Sequence, residues 1–291
     1  MFVKPTQHLQ NINRYYHKSR TGYNLALDGS KHFGYYTKHT KNERQAQLQM
    51  HQEVARQLKI KKSHRVLDAG CGQGHVAVYL AKQHQCHVDG ITVVPFEVDE
   101  VIKRAKKHQV LSNITCTLMD YSNTTFDDNI FDRIYTTETL SHAKDIRKTL
   151  HEFKRVLRKH GRVAFFEYTI AEDKQFSENE LRILRRIAAG SAMAGLFAFR
   201  HDTFEKTLRS TGFRNCSAKN ISKNVQPSLA RLRRYALIPY CVLVKPFGLQ
   251  KQFPNVSAAV EMYKLAKKDL VRYVIFTATK PTSQQSRAEG S

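Results

Sequence analysis

The 291-residue chain is 41% hydrophobic and sets 48 Lys and Arg against 25 Asp and Glu, a formal charge of +23. That apolar share supports a buried core and excludes a disordered chain. No run of eighteen apolar residues suggests a membrane span, and five cysteines, odd in number and without a Cys-x-x-Cys pair, exclude a disulfide framework or zinc site.

The first 43 residues are polar and dense in aromatics, with Tyr15-Tyr16, Tyr23 and the run Ser30-Lys31-His32-Phe33-Gly34-Tyr35-Tyr36. Two readings stand: a segment that folds over a bound molecule, or aromatic packing on a domain edge. Glu43–Leu58 reads as an amphipathic helix, because Ala46, Met50, Val54 and Leu58 recur every fourth position. From Arg65 the pattern alternates. Strands are expected at Arg65–Ala69, His87–Thr92, 114–119, 132–136 and 162–168, with helices at His75–His84, 97–108 and 146–158 and an unclear third connection. Alternation of this kind means βαβ units in a parallel sheet covered by helices on both faces. A helix-rich insertion (171–200) follows, then a helix at 202–210 stopped by Gly212 and a strand at 213–220. A longer insertion (222–269) precedes a last strand, Val271–Thr279, and a polar tail (282–291) expected to be disordered. The expected architecture is one α/β domain over 44–281 with a seven-stranded, mostly parallel sheet, an N-terminal aromatic segment and lid-like insertions. The longer insertion contains Leu229-Ala230-Arg231-Leu232-Arg233-Arg234-Tyr235, followed by Ala236 to Pro246, apolar except for Tyr240 and Lys245. It suits contact with a membrane surface, a cover over a lipophilic ligand, or a buried helix with a solvated Arg face.

Chemistry concentrates at Asp68-Ala69-Gly70-Cys71-Gly72-Gln73-Gly74-His75. Glycines there let the backbone take φ > 0 and approach a ligand closely, and a helix start behind the turn offers free N–H groups. A dinucleotide site requires G-x-G-x-x-G and a later acidic residue. His75 occupies the third glycine's place and Asp89 lies inside its strand.

The run Val66 to Gly74 resembles motif I of class I S-adenosylmethionine-dependent methyltransferases, which have a Rossmann-like fold. The resemblance continues in register through Gly90-Ile91-Thr92, Met119-Asp120-Tyr121, Phe126 to Asp132, Thr137 to Ala143, and Leu157 to Arg162 as the turn before the fifth strand. Glu138-x-x-x-His142-Ala143, Glu167-Tyr168, Ile275 to Pro281 and His32-Phe33-Gly34-Tyr35-Tyr36 are similar to the sterol 24-C-methyltransferase and tocopherol methyltransferase group. The resemblance implies S-adenosyl-L-methionine as cofactor, held by Asp68, Ala69, Gly70, Cys71, Gly72, Gly74, Thr92, Val93, Asp120, Tyr121 and Glu138. Asp68 attracts the ammonium or caps the turn. Thr92 meets the ribose without a charge, Asp120 accepts from the adenine amino group, and Tyr121 or Val93 lies on the ring. His142, Glu138, Glu167 and Tyr168 are the acid–base candidates, with a structural histidine as the alternative for His142; no metal is implied.

Three functions compete. The first is methyl transfer to a small lipophilic (sterol-, terpenoid- or prenyl-like) or other secondary-metabolite acceptor, and the second, prompted by charge, is a nucleic-acid methyltransferase. The third is a non-catalytic cofactor-binding relative. Thr137-Glu138-Thr139-Leu140 stands where an Asn/Asp-Pro-Pro-Tyr holds a flipped base, and Lys and Arg are spread along the chain. The first is therefore favoured, with an intracellular, cytoplasmic protein, a lipophilic or anionic acceptor, peripheral contact with an acidic membrane as a further partner, and no expectation for oligomeric state.

Overall fold

The computed structural model describes residues 6–26 and 30–282, so most of the polar tail lies outside the described residues. Seven strands form one sheet in the order β3-β2-β1-β4-β5-β7-β6. These are β1 (Arg65–Ala69), β2 (His87–Thr92), β3 (Ile114–Leu118), β4 (Phe131–Thr137), β5 (Leu157–Ile170), β6 (Arg214–Asn220) and β7 (Val271–Thr279). β1 to β5 run parallel, and β7 is antiparallel to both of its neighbours.

Alternation along the strands decides which face each residue supplies. Val66, Ala164 and Phe166 pack on one side with Met50, Val54 and Leu58 of α2 (Glu43–Leu58) and Leu80 of α3 (His75–His84). Leu67, Val163 and Phe165 pack on the other with Leu150 and Phe153 of α5 (Ile146–Val156) and Phe204 of α7 (Phe204–Ser210). Cap chemistry sets helix starts: Asn42 accepts from the Gln45 amide and Asp145 from the Lys148 amide.

Several elements differ from the sequence reading, and one left open is settled. α4 (Pro95–Lys107) begins two residues early because Pro95 suits a first helical turn. The link from β3 to β4 holds no helix. The expected turn at 157–161 is instead the kinked start of β5. Leu157 already pairs with Phe131, and the register then shifts before Arg162, with His160 at φ 60°. The largest difference is α1 (Gln7–Ala26), a helix of Gln, Asn, Tyr and His that carried no apolar period. The first insertion holds α6 (Glu178–Gly190), and the second folds as α8 (Ser222–Pro239), a π turn (Tyr240–Val244) and α9 (Pro254–Lys267). No helix among the described residues is long and apolar enough to cross a membrane.

Candidate active site

A cavity of about 950 Å³ opens at the carboxyl ends of β1, β2 and β4, beneath α1. This is where open α/β sheets bind ligands. The chain reaches it by a turn in which the Gly70 and Cys71 amides both donate to the Ile91 carbonyl, at 2.9 and 3.0 Å. Gly72 has φ 52°, and a Cβ there would have only Lys31 within 4 Å, so its backbone lies bare toward the cavity.

Of the expected cofactor residues, Asp68, Gly70, Cys71, Gly72, Thr92, Val93, Asp120 and Tyr121 line this cavity. Ala69, Gly74 and Glu138 do not. Ala69 is fully buried, its carbonyl accepting from Thr139 Oγ1 at 2.9 Å. Gly74 is turned against Val101, and Glu138 faces a second, smaller cavity. Burial pushes the Asp68 carboxyl up to about 7, with the Tyr135 hydroxyl pulling the other way.

The charge missing at Thr92 is supplied five residues later. Thr92 Oγ1 donates to Glu97 Oε2 at 2.5 Å while accepting from the Val94 amide at 3.1 Å. Glu97 is buried, lines the cavity and is paired with Lys31, whose ammonium lies 4.1 Å from the centre of the Tyr16 ring. Burial lowers the Lys31 pKa, and Glu97 opposes that shift. Sequence reading passed over Glu97; the available signal was an acidic residue in the first turn of the helix leaving β2.

His142 lies on a short 3-10 turn (Leu140–His142) and borders both cavities. Its Nδ1 lies 3.0 Å from the Ala192 carbonyl oxygen, an acceptor only, so Nδ1 carries the proton. Nε2 therefore presents a lone pair, which accepts from the Tyr16 hydroxyl at 2.8 Å. Burial pushes this imidazole down to about 4, so it is neutral at physiological pH. His8 Nε2 donates to the His142 carbonyl at 2.8 Å, a second tie from α1. Neither Tyr16 nor His8 was expected, because α1 was not legible as a helix.

Glu138, at φ 58°, accepts from the Phe33 amide (2.7 Å), the Tyr273 hydroxyl (3.0 Å) and the Tyr168 hydroxyl. Burial raises its carboxyl to about 7, against the pull of those three donors. It anchors the Ser30-to-Tyr36 strap to β5 and β7. Glu167, expected as an acid–base group, is corrected: it borders neither cavity and is wholly buried. Its Oε1 accepts from the Thr139 and Leu140 amides at 2.8 and 2.7 Å, which fixes the loop after β4. Burial raises its pKa to about 8 despite those amides. The smaller cavity, about 110 Å³, has Tyr15, Tyr16, Phe33, Tyr168, Met193 and Leu229 among its walls.

A family model described as a methyltransferase domain matches residues 67–165. An S-adenosyl-L-methionine-dependent Diels-Alderase of Talaromyces variabilis is 30% identical over 280 residues, covering 93% of this chain and 94% of that protein. The chain belongs to the S-adenosylmethionine-dependent methyltransferase family. The 24-methylenesterol C-methyltransferase 2 of Arabidopsis thaliana is 28% identical over 189 residues, 63% of this chain and 51% of that one. The solved structure of the 4+2 cyclase SpnF shares the fold, with a TM-score of 0.78 at 20% identity over 97% of this chain and 100% of that chain.

The methyltransferase cavity fits S-adenosylmethionine by its own donor set. Asp68 offers a carboxylate to an ammonium, Thr92 and Glu97 offer oxygen acceptors to a ribose diol, and Asp120 offers one to an exocyclic amine. The bare face of Gly72 leaves room for a ligand to lie on the backbone.

Proposed function

We propose that this methyltransferase acts on a small lipophilic acceptor whose reacting end seats in the smaller cavity against His142. The observation that carries the reading is the shared wall: Tyr16, Lys31 and His142 border both cavities, and the smaller one is otherwise mainly aromatic and aliphatic. When bound, S-adenosylmethionine supplies an electrophilic methyl group on a sulfonium. The protein's part is to position, to exclude water and to accept a proton where the acceptor must lose one. Residues of α1 and of the strap wall the site, and Tyr15, Tyr16, Phe33 and Tyr168 offer faces that suit a cationic centre. His142 Nε2 is the proton acceptor in this reading, reached through the Tyr16 hydroxyl that is hydrogen-bonded to it. Glu138 and Tyr168 serve as wall and anchor. Nothing in the site or among the relatives named above supports the nucleic-acid alternative. The test is mass spectrometry of lipid and metabolite extracts incubated with the protein and methyl-labelled cofactor. Label in a sterol, terpenoid, prenyl or polyketide-like product supports the reading; no label in either extract, with label instead in a parallel incubation with total RNA, overturns it.

A second reading is favoured by a relative that spans nearly the whole chain and is named a Diels-Alderase. In a cycloaddition, three π bonds of one acceptor become two carbon–carbon σ bonds and one π bond, with no group transferred and no redox partner. The aromatic and aliphatic walls of the two adjoining cavities would fold the acceptor while the cofactor served only as a wall. Replacing S-adenosylmethionine by S-adenosylhomocysteine separates the two: methyl transfer stops, whereas cyclisation continues without label.

A further inference from the structure

Between Lys206 and Val260 the chain carries ten Lys and Arg residues and not one Asp or Glu. The same stretch holds Tyr235, Ile238, Val242, Leu243, Phe247 and Phe253, six of the nine large hydrophobic side chains that are exposed among the described residues. These features coincide at the hairpin made by the end of α8, the π turn and the start of α9. One side of the hairpin is closed, with Ala236, Tyr240 and Val244 packed on Ala259 and Val260 of α9. The other carries Ile238, Val242 and Phe247, which are 73%, 69% and 70% exposed, beside exposed Arg234, Lys245 and Lys251. An exposed apolar ridge of this kind marks an interaction surface.

We propose that this ridge docks on an anionic lipid bilayer. Charge complementarity selects the occupant. Aliphatic and aromatic tips flanked by cations match the boundary where acyl chains meet negative headgroups, and the nearest acid in sequence, Glu261, is buried on the closed side and paired with Arg186. A nucleic acid would use the cations but leave Ile238, Val242 and Leu243 in water. The ridge also has a position that matters. Leu229 and Leu232 of α8 and Ala258 and Met262 of α9 wall the smaller cavity, so the helices that meet the bilayer also border the acceptor's seat. The docking itself does not depend on which acceptor or reaction the site serves.

The test uses the full chain and vesicles of phosphatidylcholine with or without phosphatidylserine, at physiological salt. Binding is expected to the anionic vesicles only, and to weaken at least about tenfold in Val242→Ser/Phe247→Ser and in Arg234→Glu/Lys245→Glu. All four side chains are exposed, so cofactor affinity by calorimetry should stay at the wild-type value. The chain contains no Trp, so Phe247→Trp gives a single indole. Its emission should shift blue on anionic vesicles and be quenched by brominated acyl chains. Three outcomes overturn the proposal: unchanged vesicle binding by the apolar variant, an indole that stays solvated on vesicles, or light scattering that shows a dimer dissolved by Val242→Ser/Phe247→Ser.

Discussion

Gly72 meets the cofactor cavity with no side chain, and its φ of 52° already favours glycine. Gly72→Val puts a branched side chain into the space the cofactor needs and adds roughly 1–2 kcal/mol of backbone strain. Calorimetry is expected to show cofactor binding abolished in a protein that still unfolds cooperatively; unchanged affinity would remove the turn from the site. Tyr16→Phe deletes the hydroxyl that points at His142 Nε2. Turnover should fall roughly tenfold or more, with a smaller effect on cofactor affinity. His142 also leaves a signature in stability. Its folded pKa, about 4, lies below the unfolded value of 6.5, so the unfolded chain binds the extra proton between those limits. The contribution is complete above pH 6.5 and is lost as pH falls toward 4, by about 2 kcal/mol at pH 5. Urea unfolding at pH 7 and pH 5 should show wild type losing that much more than His142→Gln, whose amide can donate and accept in the same places. Much of this was legible in the sequence at the level of single residues: Asp68, Gly72, Asp120 and His142 all reach a cavity. Glu97 escaped because its carboxylate enters the site from a helix rather than from a strand end. Glu167 misled because an acidic residue beside a strand end reads the same whether it faces a ligand or caps backbone amides.

The elements that close the site are less visible in sequence, because they are held by polar contacts and not by an apolar period. The strap is woven into α2 and α8. The Gly34 amide donates to Ser228 Oγ at 2.9 Å, Ser228 donates to Glu43 at 2.7 Å, and the Tyr35 amide reaches the Ala46 carbonyl at 2.9 Å. A Cβ on Gly34 would come within 2.5 Å of the Ala46 Cβ. Gly34→Val should therefore lower stability by about 1–3 kcal/mol, read by chemical denaturation. α1 is a different case, since its ties to His142 come through the side chains of His8 and Tyr16. Deleting residues 1–26 should spare the fold and remove methyl transfer, whereas deleting through Tyr36 also strips Glu43 and Glu138 of buried partners and should destabilise the domain. Full-rate turnover by the shorter truncation would make α1 packing only. By contrast α2, β1, α3 and β2 have the ends that the sequence indicated, because apolar spacing and glycine placement both act there.

At the scale of the whole molecule, a mostly parallel α/β sheet followed from the alternation of strand and helix. The place of the last strand did not, because pairing between segments distant in sequence leaves no local pattern. β7 lies between β5 and β6 and is the neighbour that β6 pairs with. It is also the last in chain order of the seven described strands, so a ribosome makes it after the other six. Until Val271–Thr279 has left the exit tunnel, β5 presents an open hydrogen-bonding edge and β6 has no strand to join. During that interval the α8–α9 hairpin, already made, is tethered to a sheet that cannot close. Nascent chains arrested before Val271 should therefore engage chaperones or aggregate through the β5 edge. Release of the last strand would be the step that seals one half of the sheet, so damage to Val274, Ile275 or Phe276 should reduce yield before it touches catalysis.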